Sequence, residues 1–132
     1  MRTLIIALAL VLASANPAAA TLYRCEATGV ADPLSTGSLK EPGRHSQTVL
    51  DAGFRLTFDA VSGLLRIGGL GEPWRYTVVS PGSKSNDLTA LHQGVCLASC
   101  PVAVLRIRVW EPSMPFVFVD FLGSVWSGRC SM

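Results

Sequence analysis

From Val49 onward, hydrophobic and polar residues alternate along the chain. Phe54, Leu56 and Phe58 interleave with Arg55, Thr57 and Asp59, the period of a strand with one buried and one wet face. Asp59-Ala60-Val61-Ser62-Gly63 reads as a turn, after which Leu65 and Ile67 continue on a return strand. Gly68, Gly69, Gly71 and Pro73 then break the chain before Trp74, Tyr76 and Val78 alternate with Arg75, Thr77 and Val79. A short strand at 88–91 follows, and Leu105, Ile107 and Val109 alternate with Arg106, Arg108 and Trp110. The run 116–121 is apolar on both faces and calls for cover by a second layer, a loop or a partner, and a last strand passes through Trp126. Near the start, Tyr23, Cys25 and Ala27 share a face opposite Arg24 and Glu26. The pattern predicts an all-β chain: an antiparallel meander of seven or eight short strands forming a small barrel or a sandwich, with no helix after residue 20. By phase Trp74 and Trp126 belong to the core, and Trp110 to an arginine-bearing outer face.

Residues 1–20 stand apart. Met1-Arg2-Thr3 is a short positive start, 4–13 is an apolar run, and Ala18-Ala19-Ala20 is a small-residue cleavage site, the layout of a secretory signal helix. The run is about half of the roughly 20 residues a membrane span needs. The expectation is cleavage after Ala20 and one domain over 21–132, exported to the periplasm or outside the cell and not inserted in a membrane after cleavage. Within it, 29–46 is rich in Gly, Pro, Ser and charge without hydrophobic period, and reads as a long loop. That loop is either mobile or a contact surface carrying Lys40, Glu41, Arg44 and His45.

Composition narrows the class. With 132 residues, 15% charged and a net charge of +2, the chain is too apolar for a disordered tail and too short for two ordinary domains. It also lacks the clustered basic charge of a nucleic-acid binder. Twelve glycines and eight prolines imply many turns. Four cysteines in an exported chain imply two disulfides, for which three pairings exist. Strand phase favours Cys25–Cys130 with Cys96–Cys100, because Trp126, Gly128 and Cys130 share one face just as Tyr23, Cys25 and Ala27 do. A bond between the two ends would close a loop of about 100 residues and remove on the order of 4–5 kcal/mol of unfolded-state entropy.

Candidate chemistry is sparse. His45 and His92 sit in segments without a Gly-x-Ser-x-Gly elbow, and Gly68-Gly69-Leu70-Gly71 lacks the lysine of a phosphate loop. A non-enzymatic protein without a cofactor is expected. Arg55, Arg66, Arg75, Arg106 and Arg108 lie opposite the core phase as a basic stripe. Arg106, Arg108 and Trp110 are the candidate binding face, since an exposed Trp beside Arg is typical of interface centres. His92, Cys96 and Cys100 are spaced by four, and Cys96-Leu97-Ala98-Ser99-Cys100-Pro101 resembles the copper site of the Sco-type copper chaperones. That resemblance implies, as the alternative function, an envelope protein handling copper or zinc.

Tyr23-Arg24-Cys25 near one end, Phe54 through Gly63 in a Phe-x-x-x-Phe-Asp-x-x-x-Gly hairpin, and Gly128-Arg129-Cys130 at the other resemble a group of small secreted bacterial proteins, most of them uncharacterised. In layout the chain is also similar to the periplasmic C-type lysozyme inhibitors, which are eight-stranded barrels with a terminal disulfide. Their Ser-Gly-x-x-Tyr loop has no counterpart here, since Ser62-Gly63 is followed by Leu64-Leu65-Arg66. The resemblance implies a bacterial, exported, disulfide-stabilised binding or inhibitor-like β-domain whose partner is a protein or a small ligand. Intact mass tests the cysteine reading: the exported protein should weigh about four hydrogens less than its reduced form, and a mass equal to the reduced form would leave all four thiols free.

Overall fold

The computed structural model describes residues 21–34, 36–68, 71–95 and 100–132, so the expected signal helix at 1–20 lies outside the described residues. Among the described residues the strands are β1 (Leu22–Pro33), β2 (Leu39–Lys40), β3 (Arg55–Asp59), β4 (Leu64–Ile67), β5 (Trp74–Arg75), β6 (Thr77–Pro81), β7 (Leu88–Gln93), β8 (Val102–Ile107), β9 (Pro115–Val119) and β10 (Val125–Ser131), with one helix, α1 (Arg44–Asp51). Nine strands run in the order β5-β4-β3-β1-β10-β9-β8-β7-β6, and β2 attaches to β1 off this row. Every pairing is antiparallel.

The two ends of the row belong to one stretch of chain. Trp74 and Arg75 pair with Leu65 and Leu64 of β4, the Tyr76 amide donates to the Gly63 carbonyl at 2.7 Å, and Thr77 opens the pairing with Leu91 of β7. One extended run therefore lies between β4 and β7 and nearly closes the sheet into a barrel, which decides between barrel and sandwich. Gly63 permits this approach. Its φ is +71°, and a Cβ there would collide with the Tyr76 carbonyl oxygen.

The opposite seam joins the first strand to the last. Arg24 through Ala31 pair with Ser131 through Val125, and Cys25 sits opposite Cys130 with a Cα separation of 3.9 Å and a disulfide between them. Gly128 lets the strands meet, because a Cβ would run into the Glu26 carbonyl and the Ala27 Cα. With a sequence separation of 105, the bond acts where chain closure costs most, about 4–5 kcal/mol in the chain-entropy account.

The interior follows the alternation. Leu56, Phe58, Leu65, Leu88, Leu105, Ile107 and Phe118 are fully buried, each contributing about 1.5–3 kcal/mol of transfer free energy, and Trp126 joins them as its phase predicts. On β9 Phe116 and Phe118 point inward, while of the outward residues Val117 is exposed and Pro115 and Val119 are half-buried, so the second apolar face of that strand is only partly covered.

The long loop expected over 29–46 needs correction. Past a bulge between Ala27 and Gly29, β1 continues to Pro33, β2 folds back on it, and α1 begins at Arg44. The helix contradicts the expectation of none after residue 20. Its inward positions are Ser46, Val49 and Leu50, at helical spacing, but the first is a serine and hides the period. Thr48 Oγ1 donates to the Arg44 carbonyl, and Gln47 Nε2 donates to Asp51 Oδ1 four residues on.

Asp32 ties this strap to the barrel. Its Oδ1 accepts from Ser124 Oγ at 2.6 Å and Ser46 Oγ at 3.1 Å, and its Oδ2 accepts from the Gly43 amide at 2.7 Å. These bonds satisfy the two buried serines and hold the Asp32 carboxyl below its ordinary value, the Ser124 hydroxyl having the largest effect. Because the folded-state value is depressed, the contribution of Asp32 to the strap is complete above the usual carboxylate value of 3.8 and is lost as pH falls through the lower folded-state value. Asp32→Ala should speed amide exchange at Gly43 by about tenfold or more, with Leu56 and Leu105 unaffected. Unchanged exchange at Gly43 would show that the strap is held by α1 packing alone.

Candidate functional site

β1, β4, β7 and β9 run towards one end of the barrel, where α1, the turn 120–124 and the ends of β4 and β7 gather. The inward side chains at this mouth are aromatic. His92, at the end of β7, stands 5.3 Å from each of three rings: stacked on Tyr76, edge to face with Trp74, and edge-on to Phe121. Trp74 and Phe121 meet at 5.6 Å. Beneath them Phe54 stacks on Trp126 at 4.3 Å and reaches Phe118 at 6.2 Å, so aromatic surface runs from the core to the rim.

Polar contacts fix this cluster. His92 Nδ1 lies 2.6 Å from the Arg75 carbonyl oxygen. A carbonyl only accepts, so Nδ1 carries the hydrogen and Nε2 is the acceptor of the neutral ring. Asp120 Oδ1 accepts from the amides of Leu122 and Ser124, and its Oδ2 accepts from the Trp126 indole at 3.0 Å. Burial, with the Asp120 charge second, pushes the Tyr76 hydroxyl up to about 12, so it is a standing hydrogen-bond donor at ordinary pH.

A cavity of about 70 Å³ between Ile67, Trp74, Tyr76, Ala103, Phe118, Asp120 and Phe121 has room for one or two waters. Outside it, Gly71, Glu72, Pro73, Trp74, Arg75 and His92 line an open recess of about 500 Å³. The roomier of the two spaces is thus the outer recess at the rim. Trp74 is 46% exposed, which corrects its assignment to the core: phase chose the right face, but the first residue of the strand stands at the barrel's lip. Val95 and Leu122, 79% and 83% exposed, extend the apolar rim. Such a surface can bind by stacking and apolar contact, with Glu72, Arg75 and His92 as polar flanks.

The binding face expected from sequence lies at the other end. Arg106, Arg108 and Trp110 do come together, gathered by Asp87, which the alternation did not single out. Asp87 Oδ2 accepts from Arg106 Nη2 at 2.8 Å, and its Oδ1 accepts from Trp110 Nε1 at 3.1 Å and lies 3.8 Å from Arg108 Nε. Arg108 also pairs with Glu111 at 3.1 Å and lies 5.4 Å from the centre of the Trp110 ring. Two carboxylates thus stand against the two arginines, whose side chains stay 60% and 48% exposed.

His92 and Cys100 are at the mouth, but Cys100 is disulfide-bonded and supplies no thiolate, and Cys96 lies outside the described residues. Among the described residues no three potential metal ligands cluster, and no helix is long and apolar enough to cross a membrane. His45 lies on the exposed side of α1. No family model, curated protein or solved structure matches the chain.

Removing the organiser of the Arg106, Arg108 and Trp110 face should disturb it locally. Asp87 is 17% exposed and accepts from Arg106 and Trp110, so Asp87→Ala should cost about 1–2 kcal/mol, and should move the Trp110 indole N–H resonance while leaving that of Trp126 in place. A stationary Trp110 signal would show that Asp87 does not hold the ring.

Proposed function

We propose that the chain is an exported, non-enzymatic binding barrel, working in the periplasm or outside the cell, that takes its partner at the aromatic mouth. The observation carrying this reading is Trp74: a half-exposed indole, braced by His92 and Phe121, beside an open recess. A stacking surface of this kind loses little conformational freedom on binding, which favours an aromatic or apolar group of a protein or small ligand. The Cys25–Cys130 disulfide is compatible with an oxidising compartment. Asp120, the carboxylate lining the inner cavity, is committed to two amides and an indole, which supports binding over acid–base chemistry.

Titration with indole and phenol as probes, followed by NMR, tests the reading. Shifts should concentrate on the Trp74 indole N–H and the His92 ring, and Trp74→Ala should weaken probe binding by about tenfold or more without unfolding the barrel. Shifts confined to Trp110, or none at the mouth at millimolar probe, would sink it.

A further inference from the structure

The outer wall formed by β4, β3, β1 and β10 carries a lattice of arginines that neither the mouth nor the Asp87 cluster uses. Strand register places Arg66, Thr57 and Arg24 side by side in one row, and Arg55, Glu26 and Arg129 in the next. All four arginines are exposed. Thr57 separates the two arginines of the first row and Glu26 those of the second, and the wall is grooved: Arg24, Arg55 and Arg129 border a depression of about 580 Å³ with Glu26, Thr28 and Thr57 among its other lining residues. Glu26 is the one carboxylate among those lining residues, and its contact with Arg55 is long, 3.5 Å, between side chains 60% and 69% exposed. Among the described residues Arg24, Arg66 and Arg129 have no carboxylate within 4.0 Å, whereas Arg106 and Arg108 are both paired.

Four arginines against the single carboxylate of Glu26 leave these two rows with an excess of like charge, which works against the compact state through self-repulsion, so the fold does not account for it. Guanidinium groups offer planar forks that match tetrahedral oxyanions, and several can share one phosphate. Arg55 and Arg129 are two strands apart, about 10 Å between backbones, a span that one phosphate fills poorly and a short chain of phosphates fills well. The positive groups border a groove, which a thin chain can enter and a planar headgroup surface cannot. We propose that this groove binds a soluble oligophosphate, with Arg24, Arg55 and Arg129 as its contacts and Arg66 beside them. The site is independent of the mouth.

Calorimetric titration of the purified, oxidised protein with sodium tripolyphosphate tests the assignment. Saturable binding at one site is expected. Arg24→Gln and Arg129→Gln should each weaken it about tenfold, Glu26→Gln should tighten it, and Lys84→Gln, at an exposed cation in the turn after β6 and outside the groove, should leave it unchanged. Equal weakening in Lys84→Gln would reveal a net-charge effect and overturn the site. So would inorganic phosphate binding as tightly as tripolyphosphate, binding to phosphatidylglycerol vesicles in place of the soluble chain, or no saturable binding at millimolar tripolyphosphate. Circular dichroism and intact mass of each variant keep loss of folding separate from loss of the site.

Discussion

The pairing of β1 with β10 is the constraint on which the rest of the molecule depends. Open along that line, the sheet would present two long edges of unpaired amides, and the buried face of Leu56, Phe58 and Phe118 would lose its enclosure. Joining the first strand to the last also demands the most distant closure the chain makes, and the Cys25–Cys130 bond bridges that same pair of strands. Gly128 supplies the close approach and the disulfide holds it, so backbone geometry and covalent chemistry meet within three residues.

The other closure is slighter. Two register pairs and the Tyr76 amide hold the β5 side to β4, with β6 continuing onto β7, and the His92–Arg75 contact is a side chain spanning the junction. The aromatic mouth is built on this lighter seam. The disulfide seam and the aromatic mouth thus occupy different sectors of the barrel, and Asp32 braces the mouth from outside by joining α1 to the turn at Ser124.

Much of the architecture was legible in the alternation. Tyr23, Cys25 and Ala27 all face inward, which made the Cys25–Cys130 pairing readable from strand phase alone. Other features were hidden for definite reasons. α1 escaped because Ser46 fills an inward position that a hydrophobic residue would have marked. Trp74 was misplaced because phase reports which face a residue takes and says nothing of its height on the barrel. Asp87 could not be joined to Arg106, nineteen positions on, without knowing that the turn after β6 returns beside β8. The arginine lattice is a product of register: Arg24, Arg55, Arg66 and Arg129 are neighbours only across strands.

His92 carries a thermodynamic consequence. Its ring is at once a wall of the mouth and, through Nδ1, a stitch between β7 and β5. Anything that stacks on Trp74 and His92 only when the seam is shut raises the free energy of opening it by mass action, about 2.7 kcal/mol at a hundredfold excess over its dissociation constant. Occupancy of the mouth and integrity of the barrel are then linked equilibria, and melting temperature becomes a direct report on the ligand.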